Sequence, residues 1–173
     1  TESAPIIMTS VLDNITVGQQ AGTNLDETDA GLWGGLIVLG YAPISADAAT
    51  ALIEGLPANE AYAVYGGTDA ADNSGYIEYV SVRHGGTLIG DGNEINGITL
   101  AGVGSTTVVN NIEVVANVDD GVEFFGGSVN ASNIVVWAQG DDAYDIDQAY
   151  SGTIDNFVVD CYRGLGDPVL DHA

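Results

Sequence analysis

Two short apolar segments recur along the chain in a constant order, and this repetition constrains the fold more than any other feature of the sequence. Four copies of the first segment begin at Tyr79, Asn111, Asn133 and Asn156. A shorter second segment follows each of the first three copies and begins at Gly97, Gly121 and Ala143. Two strands per period, each with its own apolar columns, are typical of a parallel β-solenoid, in which each coil packs on the previous one.

The alternation of side chains along each strand predicts which residues form the core. In the first segment the inward columns are predicted to be Val80, Ile112, Ile134 and Phe157, and Val82, Val114, Val136 and Val159. In the second segment they are predicted to be Ile98, Val122 and Tyr144, and Leu100, Phe124 and Ile146. The asparagines of three copies are predicted to stack as a structural ladder at one corner, namely Asn111, Asn133 and Asn156. Parallel crossovers favour the right hand.

Composition and spacing predict one all-β domain over residues 1–173. The chain carries 24 glycines and four prolines, and no stretch sustains the spacing of an amphipathic helix. Residues 1–75 are predicted to form irregular coils with long loops, and residues 76–173 regular coils of about 22–24 residues. No polar capping repeat is visible, so we expect a segment without its end caps. Its open strand edges would pair with further coils of the same chain or with identical copies stacked axially.

The charge balance is extreme and excludes several classes of partner. Two Lys and Arg residues stand against 25 Asp and Glu residues, which gives a formal net charge of −23. Such a surface repels phosphate backbones and anionic lipids, so neither nucleic acid binding nor membrane insertion is expected. It suits salty, cation-rich surroundings, where counterions screen the repulsion.

Two acidic segments, DDGVEFFGG from residue 119 and DDAYDIDQA from residue 141, share the spacing of the coils. Stacking places their aspartates about 4.8 Å apart, and each like-charge pair then costs roughly 1 kcal/mol in water or 3–4 kcal/mol at an effective dielectric constant of 20. A calcium ion, which binds six to eight hard oxygens, would reverse that cost. The candidate ligands are Asp119, Asp120, Glu123, Asp141, Asp142, Asp145 and Asp147.

Two other interpretations of these carboxylates remain open. In one, the aspartates cap turns, bond backbone N–H groups and stay solvated. A third interpretation is polysaccharide cleavage, because an inverting hydrolase needs two carboxyl groups roughly 6.5–9.5 Å apart. Such a site also needs basic groups to hold an acidic sugar, and the chain offers only Arg83, Arg163, His84 and His172. No catalytic residue is therefore predicted.

Seven segments in order resemble a known group of proteins. They are PIIMTS, GLWGGLIVLGYAPIS, IEGLP, YGGTDAADNSG, IEYVSVRHGG, NEINGITLAGVG and DDGVEFFGG. They resemble the secreted right-handed parallel β-helix proteins of Bacteroidetes and relatives, which have no established enzymatic activity. The resemblance implies a non-enzymatic extracellular β-solenoid, structural or adhesive, within a cell-surface protein or filament. The alternative is a carbohydrate-active β-helix that binds or cleaves polysaccharide.

Overall fold

In a computed structural model, which describes residues 1–57, 59–89 and 95–160 and the backbone of 170–171, ten short strands form two parallel sheets. Sheet A has the order β1 (Ile6–Met8), β5 (Tyr76–Arg83), β7 (Val108–Val115), β9 (Asn130–Trp137) and β11 (Ile154–Asp160). Sheet B has the order β2 (Leu36–Leu39), β6 (Ile98–Ala101), β8 (Val122–Phe125), β10 (Tyr144–Asp147) and β12 (Leu170–Asp171). Each coil gives one strand to each sheet, which confirms the predicted parallel β-helix.

The predicted register of both sheets is confirmed. Ile112 pairs with Val80 on one side and with Ile134 on the other, and Ile134 pairs with Phe157. In sheet B, Val122 lies between Ile98 and Tyr144. These columns supply most of the buried core between the sheets, because alternation turns the same side of every strand inward.

The long strands of sheet A bend at one residue. Tyr79, Asn111, Asn133 and Asn156 occupy equivalent positions with φ between 54° and 55°. This left-handed conformation costs least for glycine and asparagine, which accounts for the recurring asparagine. Asn156 donates a side-chain hydrogen bond to Asn133, whereas Asn133 donates to Asn110 at 2.7 Å rather than to Asn111. The side-chain ladder therefore shifts by one residue in the earliest of these coils.

Two excursions from the coils cover the outer faces of the sheets. The loop of residues 9–35, between β1 and β2, lies against sheet A, where Trp33 Nε1 donates to the carbonyl of Arg83. Between β2 and β5, an antiparallel hairpin of β3 (Ala51–Leu52) and β4 (Val64–Tyr65) carries a 3₁₀ turn at Ala61–Ala63. Residues of the hairpin and its flanks pack on sheet B in a second apolar cluster, namely Ile53, Ala63, Tyr65, Ile44, Ala51 and Leu56 against Ile37, Leu39, Ala101 and Phe125. No helix in the described part of the chain is long and apolar enough to cross a membrane.

Candidate cation site at the acidic corner

The corner that precedes each strand of sheet B stacks three equivalent residues. Gly97 N donates to the carbonyl of Asp120, and Gly121 N donates to the carbonyl of Asp142, so Asn96, Asp120 and Asp142 follow one another on adjacent coils. The outward position of the next strand carries Thr99, Glu123 and Asp145 in register. The fold therefore brings two acidic columns side by side. On the first of the three coils, each column has an uncharged residue, which is Asn96 in one and Thr99 in the other.

Carboxylate oxygens meet closely in two overlapping groups. One oxygen each from Asp120, Glu123 and Asp145 lies within 4.8 Å of the others, and the same limit holds for Asp119, Asp120 and Asp141. We call these five residues the acidic corner. Calcium binds oxygens at 2.3–2.6 Å, so two ligands of one ion lie at most about 4.6–5.2 Å apart. Both groups satisfy that limit.

Two carboxylates of the acidic corner are buried. Asp120 is 8% exposed and Glu123 is 6% exposed. Asn96 lies against Glu123, and its Nδ2 donates to that carboxylate. The hairpin also lies near the acidic corner. Glu54 is close enough for its charge to raise the pKa of Glu123, and Gly55 lies close to Ile95. The inner part of the corner is therefore screened from solvent.

Burial and mutual repulsion raise the pKa values of these two groups. Burial raises the pKa of Asp120 to about 8, and the nearby charge of Asp119 adds to the effect. Burial likewise raises the pKa of Glu123 to about 9, with repulsion from Asp120 next in importance. The one Arg or Lys among the described residues, Arg83, instead pairs with Glu113 at 2.7 Å. Without a cation, protons must therefore neutralise the inner corner at pH 7.

Asn96 gives an independent indication that a ligand belongs at this corner. Its side chain is 2% exposed, and its Oδ1 has no hydrogen-bond partner within the described residues. Buried amide oxygens are nearly always bonded to a donor or a cation. Asn96 Nδ2 donates to Glu123 and, at 3.2 Å, to Thr99 Oγ1, so Oδ1 is the atom of the amide that lacks a partner. A cation bound at this oxygen would satisfy it.

The remaining predicted ligands lie outside both carboxylate groups. Asp142 is buried, and its backbone N–H donates to Asp120 Oδ1 at 3.0 Å. Asp147 accepts a hydrogen bond from the Gln148 N–H at 2.6 Å. The turn-cap interpretation expects a carboxylate that accepts from a backbone N–H, as Asp120 does. It also expects a solvated carboxylate, whereas Asp120 is buried. Asn96 and Thr99 were not among the predicted ligands, although alignment of INGIT with DDGVE places them in the acidic columns.

Comparison with known proteins matches this chain to a family. The model of the pectate-lyase-like beta helix domain matches residues 1–165. Neither a curated protein nor a solved structure matches the chain significantly.

Proposed function

The chain belongs to the family of pectate-lyase-like β-helix domains, and on this premise we propose that it is a non-enzymatic structural β-solenoid stabilised by calcium at the acidic corner. The observation that carries the proposal is that carboxylate oxygens of the buried Asp120 and Glu123 and of the partly exposed Asp145 lie within 4.8 Å of one another. Calcium prefers carboxylate and amide oxygens, and Asn96 adds an amide to the set. The ion would hold adjacent coils together where their charges otherwise repel.

Polysaccharide cleavage at the same corner is less well supported. Glu123 lies beneath Asn96 and is almost inaccessible, so a sugar chain has little access to it. The nearest oxygens of each carboxylate group lie within 4.8 Å, which does not fit an inverting pair at roughly 6.5–9.5 Å and is nearer the roughly 5–5.5 Å of a retaining pair, so burial rather than spacing disfavours cleavage. Arg83 is held by Gln20, Ser81 and Glu113. These features favour a structural role for the carboxylates.

We further propose that another β-helix coil packs on β11. Phe157 belongs to an inward column yet is 44% exposed, and its ring contacts Tyr144. With Ile146, Tyr150 and Ile154 it lines an apolar cavity of about 380 Å³. The occupant would be a coil of the same polypeptide or of an identical copy, within an extracellular or cell-surface structure. Negative-stain images would show end-to-end rods for copies and single particles for coils of one chain.

Calcium titration by calorimetry tests the proposed function. We expect the wild-type protein to bind calcium saturably at about pH 8, and Glu123→Gln to weaken binding tenfold or more, because it removes one charged ligand. Asp155→Asn is the matched control, since Asp155 is an exposed carboxylate on β11, in the other sheet. Equal calcium affinity in all three proteins, or no calcium binding by the wild type, would contradict the proposal.

A further inference from the structure

A cleft on the opposite side of the coils, which the acidic corner does not use, has the features of a ligand site. It has a volume of about 320 Å³ and lies between the loop of residues 9–35 and the outer face of sheet A. We call it the Arg83 cleft. The polar and aromatic residues that line it are Asp13, Asp26, Glu27, Arg83, His84, Glu113 and Trp137. Its size is at the lower end of the range for small-molecule sites, about 300–1,000 Å³.

The polar floor of the Arg83 cleft is held in place before any ligand binds. Arg83 donates to Ser81 Oγ, to the carbonyl of Gln20 and to Glu113 Oε2, each at 2.7 Å. A guanidinium has five N–H donors, so two of them remain available. Glu113 Oε2 also accepts from Ser81, which leaves its Oε1 as an acceptor. The floor thus offers fixed donors and a fixed acceptor side by side.

The His84 ring, which also lines the cleft, is held by a hydrogen bond. Its Nδ1 lies 2.7 Å from the carbonyl oxygen of Asp29. Because a carbonyl only accepts, Nδ1 donates this bond, which leaves Nε2 as the other polar atom of the ring. His84 follows Arg83 at the end of β5, where φ of 61° turns the chain into the cleft lining.

An aromatic side chain and an apolar surface complete the site. Trp137 ends β9 and contributes its half-buried indole to the cleft. Next to it on sheet A, Val135 and Val158 face outward and are 39% and 57% exposed, beyond the part of the sheet that the loop covers. A ligand longer than the cleft would continue across this surface.

We infer that the Arg83 cleft binds a neutral saccharide. Sugar hydroxyls both donate and accept, as do the groups of the floor, and the apolar face of a sugar ring packs on an indole. Asp13, Asp26 and Glu27 at the rim disfavour an anionic ligand, such as a uronic acid chain, and the available N–H donors of Arg83 suit the hydroxyl groups of a neutral sugar rather than an ammonium group, which has no acceptor. This site is separate from the acidic corner, and the inference does not depend on the proposed function.

Calorimetric titration with three classes of hexasaccharide tests this inference. The probes are neutral hexamers (cellohexaose, xylohexaose and mannohexaose), hexagalacturonate and the hexamer of glucosamine. We expect at least one neutral hexamer to bind with a Kd of about 1 mM or tighter, and Trp137→Ala to weaken that binding about tenfold. Glu113→Gln should also weaken it, because the amide replaces an acceptor and loosens Arg83.

Matched variants outside the cleft control for general effects of the substitutions. Tyr76→Ala removes an exposed aromatic side chain from β5, and Glu78→Gln removes an exposed carboxylate from the same strand. Both should leave the affinity unchanged. The inference is overturned if no neutral hexamer binds, if Trp137→Ala and Tyr76→Ala bind equally well, or if an acidic or amino hexamer binds more tightly than every neutral one.

Discussion

Chelation of calcium at about pH 8 is expected to lower the melting temperature of the protein by roughly 10 °C. A ligand that binds only the folded state at 100 to 1,000 times its Kd stabilises that state by about 2.7–4.1 kcal/mol. For a chain of this length, each 1 kcal/mol changes the melting temperature by about 2–4 °C. The effect is large because calcium also removes the repulsion between Asp120 and Glu123.

Two substitutions separate calcium binding from simple charge repulsion. Glu123→Gln, which weakens calcium binding tenfold or more, should reduce the response of the melting temperature to chelation by at least about a third, whereas Asp155→Asn should retain the full response. If Glu123→Gln instead raises the melting temperature equally with and without chelator, then the carboxylates only repel one another. In that case the calcium site does not exist.

Without calcium, the stability of the folded state is expected to fall as pH rises from about 5 to about 9. The folded-state pKa values of Asp120 and Glu123 are about 8 and about 9, above the ordinary values of 3.8 and 4.5. Between these limits the folded state holds protons that the unfolded state has lost. The stabilisation is therefore fully present below about pH 4 and is lost as pH passes through the folded-state values.

Thermal unfolding in chelator across this pH range measures the effect. Each extra proton held by the folded state gives a slope of about 1.4 kcal/mol per pH unit. The wild-type melting temperature should therefore fall by more than about 10 °C between pH 5 and pH 9. Saturating calcium should flatten the curve, because the ion takes the place of the protons.

The double variant Asp120→Asn, Glu123→Gln is the control for general charge repulsion. It keeps the other carboxylates, so repulsion across the whole surface still grows with pH. Its melting temperature should nevertheless depend much less on pH than that of the wild type. Equal slopes for the two proteins would show that the buried pair does not hold the protons.

The repeated part of the fold could be predicted because each coil obeys the same alternation of apolar residues. The columns through Ile112 and Val122 follow from that pattern alone, and the structure has the same register. In the asparagine ladder, Asn133 donates to Asn110 rather than to the predicted Asn111. Which of these two asparagines accepts depends on side-chain geometry at the bend, and residue spacing does not encode that geometry.

The burial of Asp120 and Glu123 at the acidic corner could not be predicted, because the elements that shield these carboxylates from solvent are not part of the repeat. The hairpin of β3 and β4 occurs once, and its sequence has no counterpart in later coils. Asn96 replaces an aspartate in its column, so a search for carboxylates passes over it. Burial of Glu123, which raises its pKa, therefore emerges only in the folded chain.

Long-wavelength diffraction from crystals grown at about pH 8 with calcium tests the central claim most directly, because the anomalous signal locates the ion itself. The proposal predicts an anomalous peak about 2.3–2.6 Å from carboxylate oxygens of Asp120, Glu123 and Asp145. It would be contradicted by a map without a peak at the acidic corner, in which these carboxyl groups are hydrogen-bonded directly to one another.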